Sequence, residues 1–512
     1  MVSPKNWLGL IFLLLILGII SVIRIPSDND ARLKRAALEW SLATLAATLI
    51  LWGAFDSGGQ FQTINQTEWV VSPAFKSGLI SQDFKEVYFA DLPFPGNFQW
   101  GPIVLAVDGI SLFFFILTAL LIPICILISW NSIKYLLKEF LLCLLFLEIL
   151  LMGVFSALDL LLFYILFEGI LIPMFLLIGI WGSREEKVRA SYYFFFYTLM
   201  GSVFMLLGIF QLYDIAGTTD YQTLLNIKLP ESTQKWIFAG FFLSLAVKIP
   251  KVPFHIWLPQ AHVEAPVSGS VILAGVLLKL GGYGFLRFSW PLLPAASEYF
   301  APLIITLSGI AIVYGSLTTC RQVDFKRLIA YSSVAHMGLV TLGLFTHTIE
   351  GLVAAVFLML AHGIVSSSLF IAVTFLYERH HTRLIKYYRG ITITMPIFAT
   401  MMLVLTLTNM AIPLSCNFVG EFFSLLAAFE YSLVIGVFAA SGMVLSAAYS
   451  LYLYNRICFG DASNYHLFPR DLNRREAWAM APLVILIFFL GILPSVIIGP
   501  VKNAIMFSPG GA

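Results

Sequence analysis

The chain has 512 residues, of which 59% are hydrophobic and only 11% charged, with a formal charge of +2 at pH 7 and a mean hydropathy of +0.90. Such values exclude an ordinary soluble domain, and a charge so close to neutral gives no basis for a nucleic-acid partner. Apolar runs of bilayer-crossing length recur from end to end, so the expected fold class is all-α and polytopic.

In chain order, about 14 spans of roughly 20 residues each are predicted. They lie near 5–23, 37–55, 104–130, 137–157, 159–181, 191–213, 236–258, 266–289, 300–319, 325–346, 350–377, 393–428, 431–457 and 478–502. The first run, Trp7 to Ile23, follows Lys5 and lacks a small-residue cleavage site; polar sequence from Arg24 to Arg35 comes next. It reads as a retained span rather than a signal peptide. The span near 236–258 ends in Lys248-Ile-Pro250-Lys251-Val-Pro253. Each proline lacks an N–H, so the carbonyls of Ala246 and Ile249 lose their helical donors and the helix should break. The segment 393–428 is too long for one straight helix and contains Pro413, so a second break is predicted there.

Alternate loops are basic: Arg24/Lys34/Arg35, Lys134/Lys138, Arg184/Lys187/Arg189, Arg321/Lys326/Arg327, Arg379/Arg383/Lys386/Arg389 and Arg456/Arg470/Arg474/Arg475. The long stretch 56–103 instead carries Asp56, Glu68, Asp83, Glu86 and Asp91. By the positive-inside rule the basic loops face the negative compartment and both termini face the positive one. The expected organisation is N-terminal helices and a long loop over 1–133, a five-helix unit over 134–290, an inverted copy over 300–457, and a C-terminal loop with a last helix over 458–512. Each unit has its fourth helix broken, and matched interruptions of this kind point to an ion site.

Titratable groups stranded in the apolar runs are the candidate site. A bare charge at mid-membrane costs about 2.5–3.5 kcal/mol on insertion scales, so it usually marks an ion path. Lys248 stands beside the first break, and Lys279 lies in Gly275-Val-Leu-Leu-Lys279-Leu-Gly281-Gly282, whose glycines admit close helix packing. Glu168 precedes Pro173, which kinks its helix by freeing the Gly169 carbonyl. Glu421 sits eight residues beyond Pro413, as the positional counterpart of Lys248. His336 and His362 add groups that titrate near neutral pH. Together these read as proton-moving machinery.

Other residues carry blander expectations. Glu148 ranks lower because no helix break accompanies it, and Asp159 reads as a solvated helix cap. His255 and His262 are seven residues apart rather than the three or four that put two metal ligands on one helix turn; packing or gating suits them better. The five cysteines, Cys125, Cys143, Cys320, Cys416 and Cys458, are scattered and read as structural thiols rather than a disulfide frame or metal site. The sequence offers no nucleotide loop, dinucleotide fingerprint, iron–sulfur thiolate cluster or nucleophilic triad.

The run Lys248-Ile-Pro-Lys-Val-Pro-Phe-His-Ile-Trp-Leu-Pro-Gln-Ala-His262, with Glu264 to Lys279, resembles the antiporter-like, proton-translocating subunits of respiratory complex I. So do Tyr331 to Gly338, Leu376 to Arg383 and Asn417-Phe-Val-Gly-Glu-Phe422. The resemblance is strongest to the branch called chain 4, or subunit M in bacteria. The related chain 5 branch has a long lateral helix after its last span, and the chain 2 branch has lysine where Glu421 stands. The resemblance implies Glu168 and Lys248 as an ion pair, Lys279 as central relay, His336 and His362 as connecting relay, and Glu421 as the exit-side group. It implies partner subunits that hold NADH, flavin, iron–sulfur clusters and ubiquinone, no cofactor or metal in this chain, and a lipid environment with cardiolipin as a candidate. The alternative is a subunit of a multisubunit cation/proton antiporter. A content of 45 phenylalanines and the lack of a presequence favour a mitochondrial inner membrane over a bacterial plasma membrane.

Overall fold

A computed structural model describes residues 7–55, 105–463, 465 and 470–506. Lys5 and the acidic residues Asp56, Glu68, Asp83, Glu86 and Asp91 lie outside that set. The described chain is helical, with isolated bridges but no strand. It opens with α1 (Trp7–Arg24), α2 (Asp30–Gly53), α3 (Ser111–Ile128) and α4 (Leu137–Ser156). Next come α5 (Leu160–Gly169), α6 (Leu171–Trp181), α7 (Lys187–Ala216), α8 (Glu231–Lys248), α9 (Trp257–Glu264) and α10 (Val267–Leu292). The second half holds α11 (Pro294–Cys320), α12 (Phe325–Phe345), α13 (Ile349–His380), α14 (Pro396–Asn409), α15 (Cys416–Tyr431) and α16 (Leu433–Cys458). Two helices, α17 (Arg474–Ile492) and α18 (Ser495–Met506), close the described chain.

Among the described residues, 12 helical stretches are long and apolar enough to cross a membrane, with α5 and α6 counted as one. The two remaining expected spans are the broken ones: α8 with α9, and α14 with α15. The last span differs from expectation. It ends at Ile492 instead of running to 502, because Pro494 drives Leu493 out of the helical region (φ −120°, ψ 62°), and α18 then starts afresh.

The breaks follow proline chemistry with one correction. Gly169 ends α5 four residues before Pro173, as expected. At the first fractured helix the Ala246 carbonyl is not left free: it accepts the Lys251 N–H at 3.2 Å, while the Trp257 indole donates to the Val247 carbonyl at 2.9 Å. In the second, Ala411 and Leu414 take positive φ (60° and 73°) around Pro413, a conformation no helix can continue through.

Burial sorts the helices into a centre and a periphery. The apolar windows of α10 and α13 are 100% buried and that of α12 is 94% buried, whereas α1, α2, α16 and α17 reach only 33%. The outer helices therefore offer apolar side chains to lipid, and α10, α12 and α13 form a protein-lined interior. Small residues let the central helices meet: a Cβ added at Gly363 would stand 2.8 Å from both the Gly275 carbonyl oxygen and a Leu117 methyl. That approach sets α13 against α10 beside Lys279.

Candidate functional site

The central lysine owes its setting to irregular backbone. Lys279 sits in the short α-helical stretch Leu278–Gly284 of α10, bracketed by π-helical turns at Leu273–Leu277 and Phe285–Ser289. A π turn widens the hydrogen-bond spacing to five residues and frees carbonyls that a regular helix would use. The Lys279 ammonium donates to the carbonyl of Ala274, five residues back. Its Nζ also lies 3.0 Å from His362 Nδ1 on α13.

From His362 the polar path continues. The His362 and His336 rings stand 5.5 Å apart between centroids, tilted by 46°. His336 Nδ1 on α12 is 2.9 Å from Glu421 Oε1 on α15, with side chains 3% and 1% exposed. Lys279, His362, His336 and Glu421 thus follow one another through the interior on four different helices, with direct polar contacts at both ends and a ring-to-ring approach between the two histidines.

Glu168 and Lys248 stand apart from it and from each other. No direct ion pair joins them. Lys248 Nζ lies 4.3 Å over the Phe167 ring, a cation–π contact that partly offsets its desolvation. The Ser202 hydroxyl on α7 donates to the Leu199 carbonyl at 2.9 Å rather than to the Glu168 carboxylate. Glu168 is only half-buried as a residue, yet both its oxygens, like Lys248 Nζ, are closed off without a hydrogen-bond partner among the described residues. The contact pair expected from the resemblance is therefore an electrostatic neighbourhood instead.

Several groups were misjudged or missed. Glu148 is fully buried on α4 and accepts a hydrogen bond from Thr44 of α2 at 2.8 Å, while its second oxygen has no partner among the described residues. Asp159 does cap α5, accepting from the Leu162 N–H at 2.8 Å, but it is buried rather than solvated and also accepts from Thr219 at 2.7 Å. Lys251 is a second amine at the first break, beside Lys248, buried near the Phe242 and Phe345 rings. Lys326 and Arg383, read as loop charges, are also buried. Lys326 Nζ donates to the Ala265 carbonyl at 2.8 Å and to Ser270 at 3.2 Å, while Arg383 donates to the Val263 carbonyl and the Ser183 hydroxyl. Burial pushes the Arg383 pKa below the ordinary guanidinium value. His262 is fully buried, stacked on Phe370 with centroids 4.6 Å apart, and neither ring nitrogen has a hydrogen-bond partner among the described residues. No cluster of three or more metal-ligating side chains occurs among the described residues.

Comparison with known proteins agrees with this architecture. The family model for the NADH:quinone oxidoreductase/Mrp antiporter transmembrane region matches residues 157–446, the stretch that contains every residue of the polar series. The NADH-ubiquinone oxidoreductase chain 4 of Metridium senile is 81% identical over 512 residues, covering 100% of both chains. A chain of respiratory complex I from Thermus thermophilus superposes with a TM-score of 0.82 at 28% identity, covering 100% of both chains. A chain of the Mrp complex from Dietzia shares the fold at a TM-score of 0.81 and 17% identity, covering 99% of this chain and 98% of that one. With a family model spanning more than half its length and a full-length relative this similar, the chain belongs to the NADH:quinone oxidoreductase/Mrp antiporter membrane family, in its NADH-ubiquinone oxidoreductase chain 4 branch.

Proposed function

We propose that this chain is a proton-translocating subunit in the membrane arm of NADH:ubiquinone oxidoreductase. Proton movement through its buried lysine, histidine and glutamate series is coupled to quinone reduction elsewhere in the assembly. The observation that carries the reading is the succession Lys279–His362–His336–Glu421, with polar contacts at both ends and the two imidazoles side by side. Every group in it can hold or release a proton, and each neighbour's charge sets the proton affinity of the next.

Glu168 and Lys248 supply the other end of the relay. The Lys248 charge favours the ionised form of Glu168; drawing the two apart favours its protonation and lets the amines pass a proton towards the histidines. Support for two inverted units over 134–290 and 300–457 comes from their shared pattern. In each, a polar group on the second helix faces a broken fourth helix: Glu168 and Lys248 in one, His336 and Glu421 in the other. NADH, flavin, iron–sulfur and ubiquinone chemistry then belongs to partner subunits. The multi-pass chain sits in the mitochondrial inner membrane, with both termini on the intermembrane side and membrane lipid, cardiolipin included, against its outer helices.

In the assembled enzyme, Glu168→Ala, Lys248→Ala and Glu421→Gln are each expected to remove most proton-coupled NADH:ubiquinone turnover while assembly and NADH:ferricyanide activity persist. Near-wild-type proton yield in all three assembled variants would overturn the assignment. The rival cation/proton antiporter shares the fold at low identity, whereas 81% identity favours the complex I subunit. Sodium exchange without NADH oxidation would reverse that preference.

A further inference from the structure

Next to the Glu421 end of the series lies a small pocket between α11, α12, α15 and α16. Its polar lining is Ser316, His336, Glu421, Ser446 and Tyr449. It has room for about one water, and its wall supplies the several polar partners that a held water needs. Ser316 and Ser446 each spend their hydroxyl hydrogen on a carbonyl of their own helix, Ile312 and Met443, both at 2.7 Å. Their oxygens are left as acceptors towards the pocket.

Tyr449 is the group the relay reading does not use. It is 1% exposed, although its phenol is large and polar. Its hydroxyl stands 3.5 Å from His336 Nε2, on the opposite side of the ring from the Nδ1 that meets Glu421. Nearby, Asn409 donates to Ser450 at 3.1 Å and Ser332 to the Ile329 carbonyl at 2.8 Å, so those hydrogens are not spent on the Tyr449 hydroxyl.

The two ring contacts impose a condition on proton transfer. A neutral imidazole with its hydrogen on Nδ1 needs a donor at Nε2. When an incoming proton has made the ring cationic and the Nδ1 hydrogen has passed to Glu421, the N–H bond at Nδ1 is broken and an O–H bond is formed. The ring is then neutral again, with its hydrogen on Nε2, and that position needs an acceptor. A hydroxyl that can rotate serves both states; a phenyl ring serves neither.

Resting on the relay reading above, we infer that Tyr449 is a positioning residue for proton transfer from His336 to Glu421. It holds the imidazole through both tautomers by turning from donor to acceptor. The adjoining pocket holds the water that takes the proton from Glu421. The 3.5 Å separation is long for a strong bond, which suits a contact that must be exchanged in every cycle.

The test compares Tyr449→Phe with Glu421→Gln in the assembled enzyme. Assembly, NADH:ferricyanide activity, protons moved per NADH and the solvent isotope effect on ubiquinone reduction are all measured. Tyr449→Phe is expected to leave assembly and ferricyanide activity intact, slow coupled turnover by about 10- to 100-fold, as loss of reactant alignment does, and enlarge the isotope effect. A purely structural role would lower the amount of enzyme without moving the isotope effect. Wild-type turnover and isotope effect in Tyr449→Phe, with Glu421→Gln blocked, would overturn the inference alone. Wild-type proton yield in Glu421→Gln would instead remove the relay reading beneath it. Should Tyr449→Phe fail to assemble, Ser446→Val fills the pocket with Tyr449 intact, and the same two results decide.

Discussion

Asp108 and Arg287 meet at 2.5 Å with side chains 7% and 6% exposed, and Arg287 also donates to the Tyr283 hydroxyl at 3.3 Å. Burial by itself would raise the Asp108 pKa; the Arg287 charge, with hydrogen bonds from Arg287 and Ser111, outweighs it and holds the carboxyl below its ordinary value. A depressed carboxylate pKa adds stability above the unfolded value of about 3.9, and that stability is lost as pH falls through the folded value. The pair therefore contributes fully at neutral pH and fails only in strong acid. Asp108→Ala strands a buried guanidinium and is expected to cost about 3–5 kcal/mol, read as a lower denaturation temperature of the assembled enzyme. Adding Arg287→Met should restore part of the loss. At this scale legibility depended on surroundings. Lys248, Lys279, Glu168 and Glu421 stand out because each interrupts an apolar run. Lys326 and Arg383 lie among other basic residues and read as solvated loop charge; the carbonyls of Ala265 and Val263 that bury them arrive from far away in the chain.

Among the elements, the two fractures were legible because proline removes a specific donor, and they fall where Pro250, Pro253 and Pro413 put them. The π turns around Lys279 were not legible. They lie in a fully enclosed helix, and no residue type announces them. The burial of Glu148 was hidden for a similar reason: its partner Thr44 belongs to a helix about a hundred residues earlier, and only tertiary structure joins them. The close approach of α10 and α13 gives a direct test. Gly363→Ala would place a methyl 2.8 Å from the Gly275 carbonyl oxygen, against rigid backbone. Overpacking of this kind costs about 1–3 kcal/mol, and the helices must part beside the 3.0 Å Lys279–His362 contact. Coupled turnover is expected to fall by about tenfold or more while the enzyme still assembles, measured as ubiquinone reduction per unit of ferricyanide activity. Unchanged turnover would mean that this contact does not limit proton movement.

At the scale of the whole molecule, a polar clasp ties the start of α17 to the interior, beside the apolar packing of Met480, Leu483 and Ile487. Arg379, in the last turn of α13, donates to both carboxylate oxygens of Glu476 on α17, at 3.2 and 2.6 Å, and to the carbonyls of Arg470 and Asp471 at 2.8 and 3.2 Å. Glu476 also closes the capping box of α17 with Asn473, and Asp471 accepts the Ile397 and Phe398 N–H groups at the start of α14 at 2.8 and 3.1 Å. Arg379→Ala leaves a largely buried carboxylate without its partner, a loss of about 3–5 kcal/mol. The expected result is earlier release of this subunit from the complex on detergent titration, and retention at wild-type detergent levels would refute it.

The same helix has a mechanical corollary. With 32 residues, α13 is about 48 Å long, well beyond a hydrocarbon slab of about 30 Å. Its histidine at 362 and its arginine at 379 ride on one stiff rod about 26 Å apart. Any displacement of that rod along its axis would reach the central imidazole and the guanidinium at its end together.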